Sequence, residues 1–295
     1  MIERLEMFIA LANERHFGRA AESLGITQPS LSAGIRHLED QLGVQLVFRG
    51  SRFQGLTPEG QRVLDWARRI VGDVRTLREE MRAVRSGLSG NLRLGAIPTA
   101  LPMVARLTAP FLARHPNVRM TILSRSSEEI REGIENLDLD AGLTYLDNDP
   151  LGRVTVVPLY RERYCLLVHR DSPLAGRVGI GWAEAAAEPL CLLTSDMQNR
   201  RILNQHLAAA GSDPAPRVES NSSLALVAHV EAGGWASIVP EALAGTLARD
   251  GPVAAVPIAD PGARHRVGLV AAVREPHTPV VTALIDAAAR FGPGE

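Results

Sequence analysis

A short stretch near the N-terminus, residues 17–42, constrains the fold most, because it encodes two helices joined by a tight turn. Small residues in the first helix allow it to pack closely against a neighbour. Gly25 can take the left-handed conformation that ends a helix. Thr27 can cap the next helix, with Pro29 in the first turn, where proline is tolerated. The pattern predicts a helix-turn-helix.

The second helix of this motif has one apolar and one polar side. Its apolar residues recur at helical spacing and are expected to face the core; they are Leu31, Ile35, Leu38 and Leu42. The opposite side carries Pro29, Ser32, Ala33 and Arg36, with Gln28 and Ser30 near the N-terminal end of the helix. We call these six residues the recognition face. Arginine can pair with guanine or phosphate, and amides and hydroxyls can contact bases or backbone. The recognition face therefore has the size and chemistry to enter a DNA major groove.

A two-stranded wing is predicted to follow this helix. Val44, Leu46 and Phe48 alternate with polar residues, and a glycine-containing loop carrying Arg49 and Arg52 comes next. Both arginines are placed where a loop can follow the phosphate backbone or reach a minor groove. An ordinary solvated hairpin is the alternative.

A long helix is predicted from Thr57 onwards, with a hydroxyl cap, proline at the first position and an acidic residue near the positive helix end. Its apolar residues recur at alternating spacings of four and three, which is a heptad repeat; they are Val63, Ala67, Ile70, Val74, Leu77, Met81 and Val84. A helix about 40 Å long would leave this narrow seam without a partner. A second copy of the chain would cover it, and packing on the protein's own domain is the alternative. Gly87 and Gly90 end the helix and supply a hinge.

The chain as a whole resembles the LysR-type transcriptional regulators. The most specific parts of the resemblance are residues 20–32, 35–39 and 56–60. It implies a dimer through the long helix, often a dimer of dimers, and a sensor domain built like a type 2 periplasmic binding protein. It also implies double-stranded promoter DNA and RNA polymerase as partners. Gly34 departs from the family, where a polar or basic residue is common.

These observations predict an α/β protein with three parts. They are a winged helix-turn-helix at 1–58, a dimerisation helix and hinge at 59–90, and a two-lobed effector-binding domain at 91–295. The resemblance assigns 91–161 and 267–295 to lobe I and 162–266 to lobe II, so that the chain crosses between lobes near Arg161 and Arg266. In 91–295, β-branched and leucine-rich runs alternate with helical patterns, which indicates α/β layers with largely parallel sheets. Predicted strands are 92–96, 118–123, 141–144, 164–168, 190–193, 236–239 and 267–273.

The effector site is predicted between the two lobes. Ligands of open α/β sheets bind beyond the carboxyl ends of strands, near helix N-termini whose free N–H groups prefer anions. We therefore expect a small carboxylate-like effector held mostly by neutral donors, with no cofactor and no metal. The candidate residues are Thr99, Ala100, Leu101, Ser126, Thr144, Thr194, Ser195 and Asn221. The alternative is that these hydroxyls only cap helices.

A more specific resemblance suggests one effector. Residues 139–146 and 158–164 resemble those of family members that control formate dehydrogenase operons, which makes formate a candidate. His169, Arg170, His265 and Arg266 can add charge near the crossings, although lone residues of this kind are usually solvated.

Composition excludes several other functions. The formal net charge is −1, but residues 1–90 hold 13 Arg against 11 acidic residues, while the remainder holds 19 against 22. An apolar run long enough for a bilayer and a secretory signal are both absent from the sequence, so we expect a cytoplasmic protein without a membrane role. An exported solute-binding protein would need such a signal.

The sequence also argues against an enzyme. Neither a nucleophile elbow, a phosphate loop, a His-Glu-x-x-His motif nor a Cys-x-x-Cys pair occurs in it. Cys165 and Cys191 are each flanked by apolar residues, which predicts buried strands rather than a disulfide framework or a metal site. Redox sensing by these two cysteines is the alternative to an effector site.

Overall fold

The computed structural model describes residues 1–48, 53–147, 151–248 and 251–291. The chain divides into two units with separate hydrophobic cores. The N-terminal unit comprises Met1–Gly87, Glu135–Asp138 and Pro276–Pro279, and the C-terminal unit comprises Leu88–Ile134, Leu139–Glu275 and Val280–Glu295.

The N-terminal unit contains the predicted helix-turn-helix. Its helices are α1 (Ile2–Glu14), α2 (Phe17–Ser23), α3 (Gln28–Leu42) and α4 (Pro58–Ser86). Gly25 lies in the turn between α2 and α3 with φ of +66°, in the left-handed region as predicted. The Thr27 hydroxyl accepts a hydrogen bond from the Ser30 backbone N–H at 3.3 Å, so it caps α3. His16 caps α2 in the same way through Nδ1, which accepts from the N–H groups of Gly18 and Arg19.

Helix α3 buries Leu31, Ile35 and Leu38, which are at most 2% exposed. The prediction that Leu42 joins this core is wrong, because α3 ends there and Leu42 is 39% exposed. Glu39 is buried in its place. Its Oε1 accepts hydrogen bonds from the backbone N–H groups of Leu46 at 2.8 Å and Val47 at 3.3 Å, which ties α3 to the following segment.

The wing is short in the part of the chain that the structure describes. Val47 and Leu56 form an antiparallel bridge, and the Phe48 N–H donates to the Gly55 carbonyl oxygen at 3.1 Å. The predicted contact residues Arg49 and Arg52 lie outside the described residues.

The heptad seam of α4 has two different environments. Ala67 is fully buried within the N-terminal unit. Further along, Leu77 is 57% exposed, Met81 52% and Val84 81%. The first part of the seam therefore packs on its own unit, and the last three turns leave apolar side chains in solvent.

In the C-terminal unit, one five-stranded sheet has the order β2-β1-β3-β10-β4. Its strands are β1 (Gly90–Ala96), β2 (Val118–Ser124), β3 (Ala141–Tyr145), β4 (Val154–Glu162) and β10 (His265–Ala272). Its helices are α5 (Leu101–Arg114), which follows a 3-10 turn at Pro98–Ala100, α6 (Ser127–Glu135) and α11 (Pro279–Phe291). We call this part lobe I.

The intervening chain builds two smaller sheets, which we call lobe II with their helices. Strands β5 (Tyr164–His169), β8 (Ser237–Pro240) and β9 (Val253–Pro257) form one, and β6 (Cys191–Leu193) and β7 (Val218–Ser220) the other. The helices are α7 (Trp182–Ala186), α8 (Gln198–Ala209), α9 (Ser223–Glu231) and α10 (Glu241–Leu247). The chain enters lobe II between β4 and β5 and returns between β9 and β10.

The prediction of largely parallel sheets is wrong, because the five-stranded sheet is mixed and the three-stranded sheet is antiparallel, while β6 and β7 are parallel. Strand β1 is parallel to β2 and β3, but β10 runs antiparallel to β3 and β4 because it comes back from lobe II in the opposite direction. Strand β5 is antiparallel to both neighbours. Three strands, β4, β7 and β9, were not predicted.

We predict that Gly60→Ala destabilises the N-terminal unit. A Cβ at this position would overlap the carbonyl oxygen of Leu46, which is backbone and cannot rotate away. We expect a loss of about 2–3 kcal/mol in the free energy of unfolding, measured by denaturant titration of the full chain. Gly34→Ala is the matched control, because there the Cβ would meet only the flexible end of the Met7 side chain. Equal losses for the two variants would contradict the packing described here.

Candidate functional site

The recognition face lies on the solvent side of α3. Gln28, Pro29, Ser30, Ala33 and Arg36 are exposed, and Ser32 is half-buried. The buried apolar residues of the same helix lie on its other side, so the core packing itself turns these six residues outward. The structure thus leaves five of the six predicted α3 residues exposed and Ser32 half-buried.

Two details refine this surface. The Ser30 hydroxyl lies 2.8 Å from the Thr27 hydroxyl, so it is shared between the helix cap and any ligand. Gly34, where the chain departs from the family resemblance, faces Met7 of α1 rather than open solvent. A small residue at this position is therefore explained by helix packing.

A cleft of about 490 Å³ lies between the two lobes of the C-terminal unit. Lobe I contributes the 3-10 turn, the start of α5 and the start of α6, and lobe II contributes the starts of α8, α9 and α10. The lining residues are Pro98, Leu101, Pro102, Ser124, Arg125, Ser126, Glu129, Met197, Asn221, Ser222, Ser223, Leu224 and Leu243. Its volume is in the range of small-molecule sites.

Helix α9 presents an open N-terminus to this cleft. Its N-cap residue is Ser222, whose side chain makes no capping hydrogen bond. The first N–H groups of a helix have no partner inside the helix. The Ser223 hydroxyl is buried and has no hydrogen-bond partner among the described residues. These groups together favour an acceptor, and above all an anion.

Helix α6, by contrast, is capped by its own side chains. Glu129 Oε2 accepts from the Ser126 N–H at 2.7 Å, and the Ser126 hydroxyl accepts from the Glu129 N–H at 3.2 Å, which is a capping box. Ser126 is thus engaged in capping, while the Glu129 carboxylate and the Arg125 guanidinium are exposed at the cleft.

Of the predicted effector residues, Leu101, Ser126 and Asn221 line the cleft. Thr99 and Ala100 are buried behind it, at 1% and 0% exposed. The other three lie apart from the lining: Thr144 is buried with an unpartnered hydroxyl, Thr194 is half-buried with an unpartnered hydroxyl, and Ser195 is exposed. Absence of a partner refers here to the described residues.

Sequence reasoning missed most of the lining. Sequence analysis could have identified Arg125 and Glu129 as lining residues, because Ser126-x-x-Glu129 is a capping-box pattern at the end of a predicted strand. Pro98, Met197 and Leu243 carry no such signal, since apolar residues line cores and clefts alike.

Thr99 belongs instead to a buried polar group that we call the Glu162 cluster. The Tyr145 hydroxyl donates to Glu162 Oε2 at 2.5 Å, and the Tyr160 hydroxyl donates to Oε1 at 3.3 Å. Asn199 Nδ2 donates to the Tyr145 hydroxyl at 2.9 Å, and the Thr99 hydroxyl lies 3.5 Å from it. Burial raises the pKa of Glu162 to about 7, against the effect of the hydroxyl donors.

The predicted charges at the second crossing have partners. Nε2 of His265 lies 2.9 Å from Nε2 of His206, whose ring stacks on Trp182 with centroids 4.8 Å apart. Burial lowers the pKa of both histidines. Arg266 forms an ion pair with Asp147 at 2.7 Å. On the outer side of lobe II, Arg170 Nε donates to the Gly251 carbonyl oxygen, and His169 lies 3.4 Å from the exposed Asp171.

Both cysteines are buried in strands, as predicted. Cys165 is 1% exposed and Cys191 0%. Burial raises the pKa of each thiol, so the reactive thiolate is disfavoured. Among the described residues, His, Cys, Asp and Glu form no group of three that is positioned to hold a metal ion.

The recognition face and the cleft lie in two regions that match known protein families. Residues 2–61 match the bacterial regulatory helix-turn-helix protein, lysR family, and residues 85–292 match the LysR substrate binding domain. The chain belongs to the LysR family. It is therefore a DNA-binding transcriptional regulator with an effector-binding domain, and not an enzyme.

The relatives of this LysR-family protein include regulators named for peroxide. The chain is 32% identical over 271 residues to the DNA-binding transcriptional dual regulator OxyR of Escherichia coli K12, covering 91% of this chain and 88% of that protein. It is 30% identical over 271 residues to the hydrogen peroxide-inducible genes activator of Dickeya chrysanthemi, with the same coverage of both chains.

Solved structures agree with the fold. A full-length OxyR variant from Pseudomonas aeruginosa has a TM-score of 0.75 and 27% identity, over 98% of this chain and 94% of that one. Full-length CbnR complexed with its target DNA has a TM-score of 0.64 and 23% identity, over 99% of this chain and 100% of that one, and shows the fold alone. None of the helices in the described ranges has the length and apolar character needed to cross a membrane.

Proposed function

We propose that the recognition face of α3 binds the major groove of promoter DNA in two copies held together by α4. Five exposed residues and the half-buried Ser32 on the solvent side of α3 support this role, with Arg36 as the charged group that pairs with guanine or phosphate. Arg49 and Arg52 add backbone contacts from the wing. The exposed C-terminal part of the α4 seam, from Leu77 to Val84, supports pairing with a second chain.

The assembly that follows is a homodimer, or a homotetramer built as a dimer of dimers, acting in the cytoplasm where promoter DNA and RNA polymerase are present. In this assembly, residues 1–58 bind DNA, residues 59–90 pair with a second chain, and residues 91–295 bind the effector. Effector binding closes the cleft and changes how the sensor domains pack, which alters the spacing of the DNA-binding units. A coupling of about 1–3 kcal/mol suffices for such a switch.

For the effector we propose a small organic acid that also carries a hydrogen-bond donor, such as a hydroxy acid or an amino acid. The open N-terminus of α9, the Ser223 hydroxyl and Asn221 favour a carboxylate, and Arg125 adds positive charge. The exposed carboxylate of Glu129 lies in the same lining and favours a donor on the ligand. The observation that carries this proposal is that Arg125 and Glu129 line the same cleft as the uncapped N-terminus of α9.

Peroxide is the second candidate, because the relatives cited above are named for it. Thiol chemistry would need an accessible cysteine with a lowered pKa. Cys165 and Cys191 have neither property. Formate gains no support from the names of these relatives, and it lacks the donor that Glu129 favours.

We predict that Arg36→Ala weakens DNA binding about tenfold or more, because one charged contact to a base or phosphate is lost. The measurement is a gel shift at several salt concentrations, using duplexes that the parent protein enriches from a random library. Arg4→Ala is the matched control, since Arg4 is bound to Gln41 at the other end of α3. Unchanged affinity and salt dependence of the Arg36 variant would rule out the recognition face.

For the effector, we predict that lactate or alanine raises the melting temperature of the full chain more than acetate or formate does. At a hundredfold excess over Kd the rise is about 5 °C. Asn221→Ala reduces the rise, while Asn117→Ala, an exposed asparagine elsewhere on lobe I, leaves it intact. Hydrogen peroxide forms a separate arm of the screen. The cleft proposal fails if none of the acids shifts the melting temperature, or if only peroxide changes DNA affinity.

A further inference from the structure

The effector proposal leaves one buried charge-bearing group without a role. Glu162 is 2% exposed and lies at the end of β4, directly before the first crossing into lobe II. Its contacts are with hydroxyl groups, and none of the ion pairs seen among the described residues includes it. Burying a carboxyl group without a cation is costly when the group is ionised. Such a group at a hinge calls for an explanation beyond packing.

The hydrogen bonds of the Glu162 cluster join both lobes. Tyr145 ends β3 and Tyr160 lies in β4, so both belong to lobe I. Asn199 lies in α8 of lobe II and reaches Glu162 through the Tyr145 hydroxyl. A movement of α8 away from β3 would break the Asn199–Tyr145 hydrogen bond and admit water to the carboxyl group.

The cluster also touches the walls of the cleft from behind. Thr99 lies between the lining residues Pro98 and Leu101, and Asn199 is two residues beyond the lining residue Met197. Each therefore lies within two residues of a lining residue, Thr99 in lobe I and Asn199 in lobe II. The surroundings of the cluster therefore depend on whether the cleft is open or closed.

Other titratable groups surround the cluster. Tyr164 of β5 faces it from lobe II, and its ring lies 6.3 Å from His206 and 6.1 Å from His265. The phenols of Tyr145, Tyr160 and Tyr164 keep their protons at neutral pH, because burial raises their pKa values further. Burial lowers the pKa of His206 and His265, and both histidines are ionisable groups beside the cluster, so an experiment has to separate their effect from that of Glu162.

We propose that the Glu162 cluster is a proton-dependent latch between the lobes, in which protonated Glu162 holds the cleft closed and ionised Glu162 favours opening. The inference builds on the cleft of the proposed function but requires no effector. When the cleft opens, water hydrates the carboxyl group and its proton is released to solvent. The regulator then binds its effector more tightly at low cytoplasmic pH than at high pH, because the closed arrangement is already populated.

The direction of the pH effect follows from the two environments of the Glu162 carboxyl group. Its pKa is about 7 when buried, against 4.5 for the ordinary group. The closed arrangement therefore binds the proton more tightly, and lowering the pH favours it. Between pH 8 and pH 6 the ratio of closed to open molecules rises about tenfold.

Single-molecule energy transfer between the lobes tests this directly. Dyes are attached to cysteines introduced by Glu132→Cys on α6 and Val178→Cys on lobe II, positions that are 57% and 99% exposed. The native cysteines are buried and react slowly. A small amount of labelled full-length protein is assembled with excess unlabelled protein, without effector or DNA, and measured from pH 6 to pH 8.

In the parent the closed fraction rises as the pH falls. Glu162→Gln, which mimics the neutral acid, stays closed throughout while its histidine pair is unchanged. Glu231→Gln, an exposed control on lobe II, behaves like the parent. Should the glutamine variant fold poorly, Tyr160→Phe provides a second test, because it removes one donor to the carboxylate, leaves the Tyr145–Asn199 hydrogen bond in place and moves the transition to higher pH.

A pH response that persists in Glu162→Gln would assign the effect to His206 and His265 and overturn the proposal. An inter-lobe distance that is independent of pH in the parent would overturn it equally. Because no ligand is present, a failed effector screen leaves this result unaffected, and the two proposals are tested separately.

Discussion

The account depends on the two-sided packing of α3. Burial of Leu31, Ile35 and Leu38 fixes the rotation of the helix about its axis, and this rotation alone decides that Gln28, Ser30, Ala33 and Arg36 face solvent. The buried carboxylate of Glu39 then fixes where the chain leaves the helix, through the N–H groups of Leu46 and Val47. Since a recognition surface has to be rigid before it meets DNA, its specificity is set by residues that never touch a base.

In the effector-binding domain, the fold likewise determines where a ligand can bind. Its chain crosses from lobe I to lobe II after Glu162 and returns before His265, so two short segments form the covalent connection between the lobes. Helix starts from both lobes then point into the same space. An effector in that space contacts both lobes at once, which is the condition for shifting an equilibrium between open and closed arrangements.

Sequence periodicity was sufficient to predict the helices of the DNA-binding unit but insufficient to predict the lining of the cleft. The helix-turn-helix, its cap at Thr27 and the start of α4 at Thr57 depend on local rules, and the structure shows all three. Leu42 was wrongly assigned to the core because periodicity does not show where a helix ends and stops packing against its neighbours. The Glu162 cluster joins residues from four elements, from Thr99 to Asn199, and no local pattern identifies such a group. Thr99 was selected as a ligand contact, whereas the fold places it in that cluster.

The most direct test of the central claim, that occupancy of the cleft changes how two copies of α3 meet DNA, is nuclease footprinting of the full-length protein on its selected duplex. The footprint is recorded without ligand and with the organic acid that stabilises the protein most. The account predicts that the protected region changes in length or gains new cleavage sites characteristic of altered bending. An identical footprint in both conditions, at ligand concentrations that saturate the cleft, would contradict it.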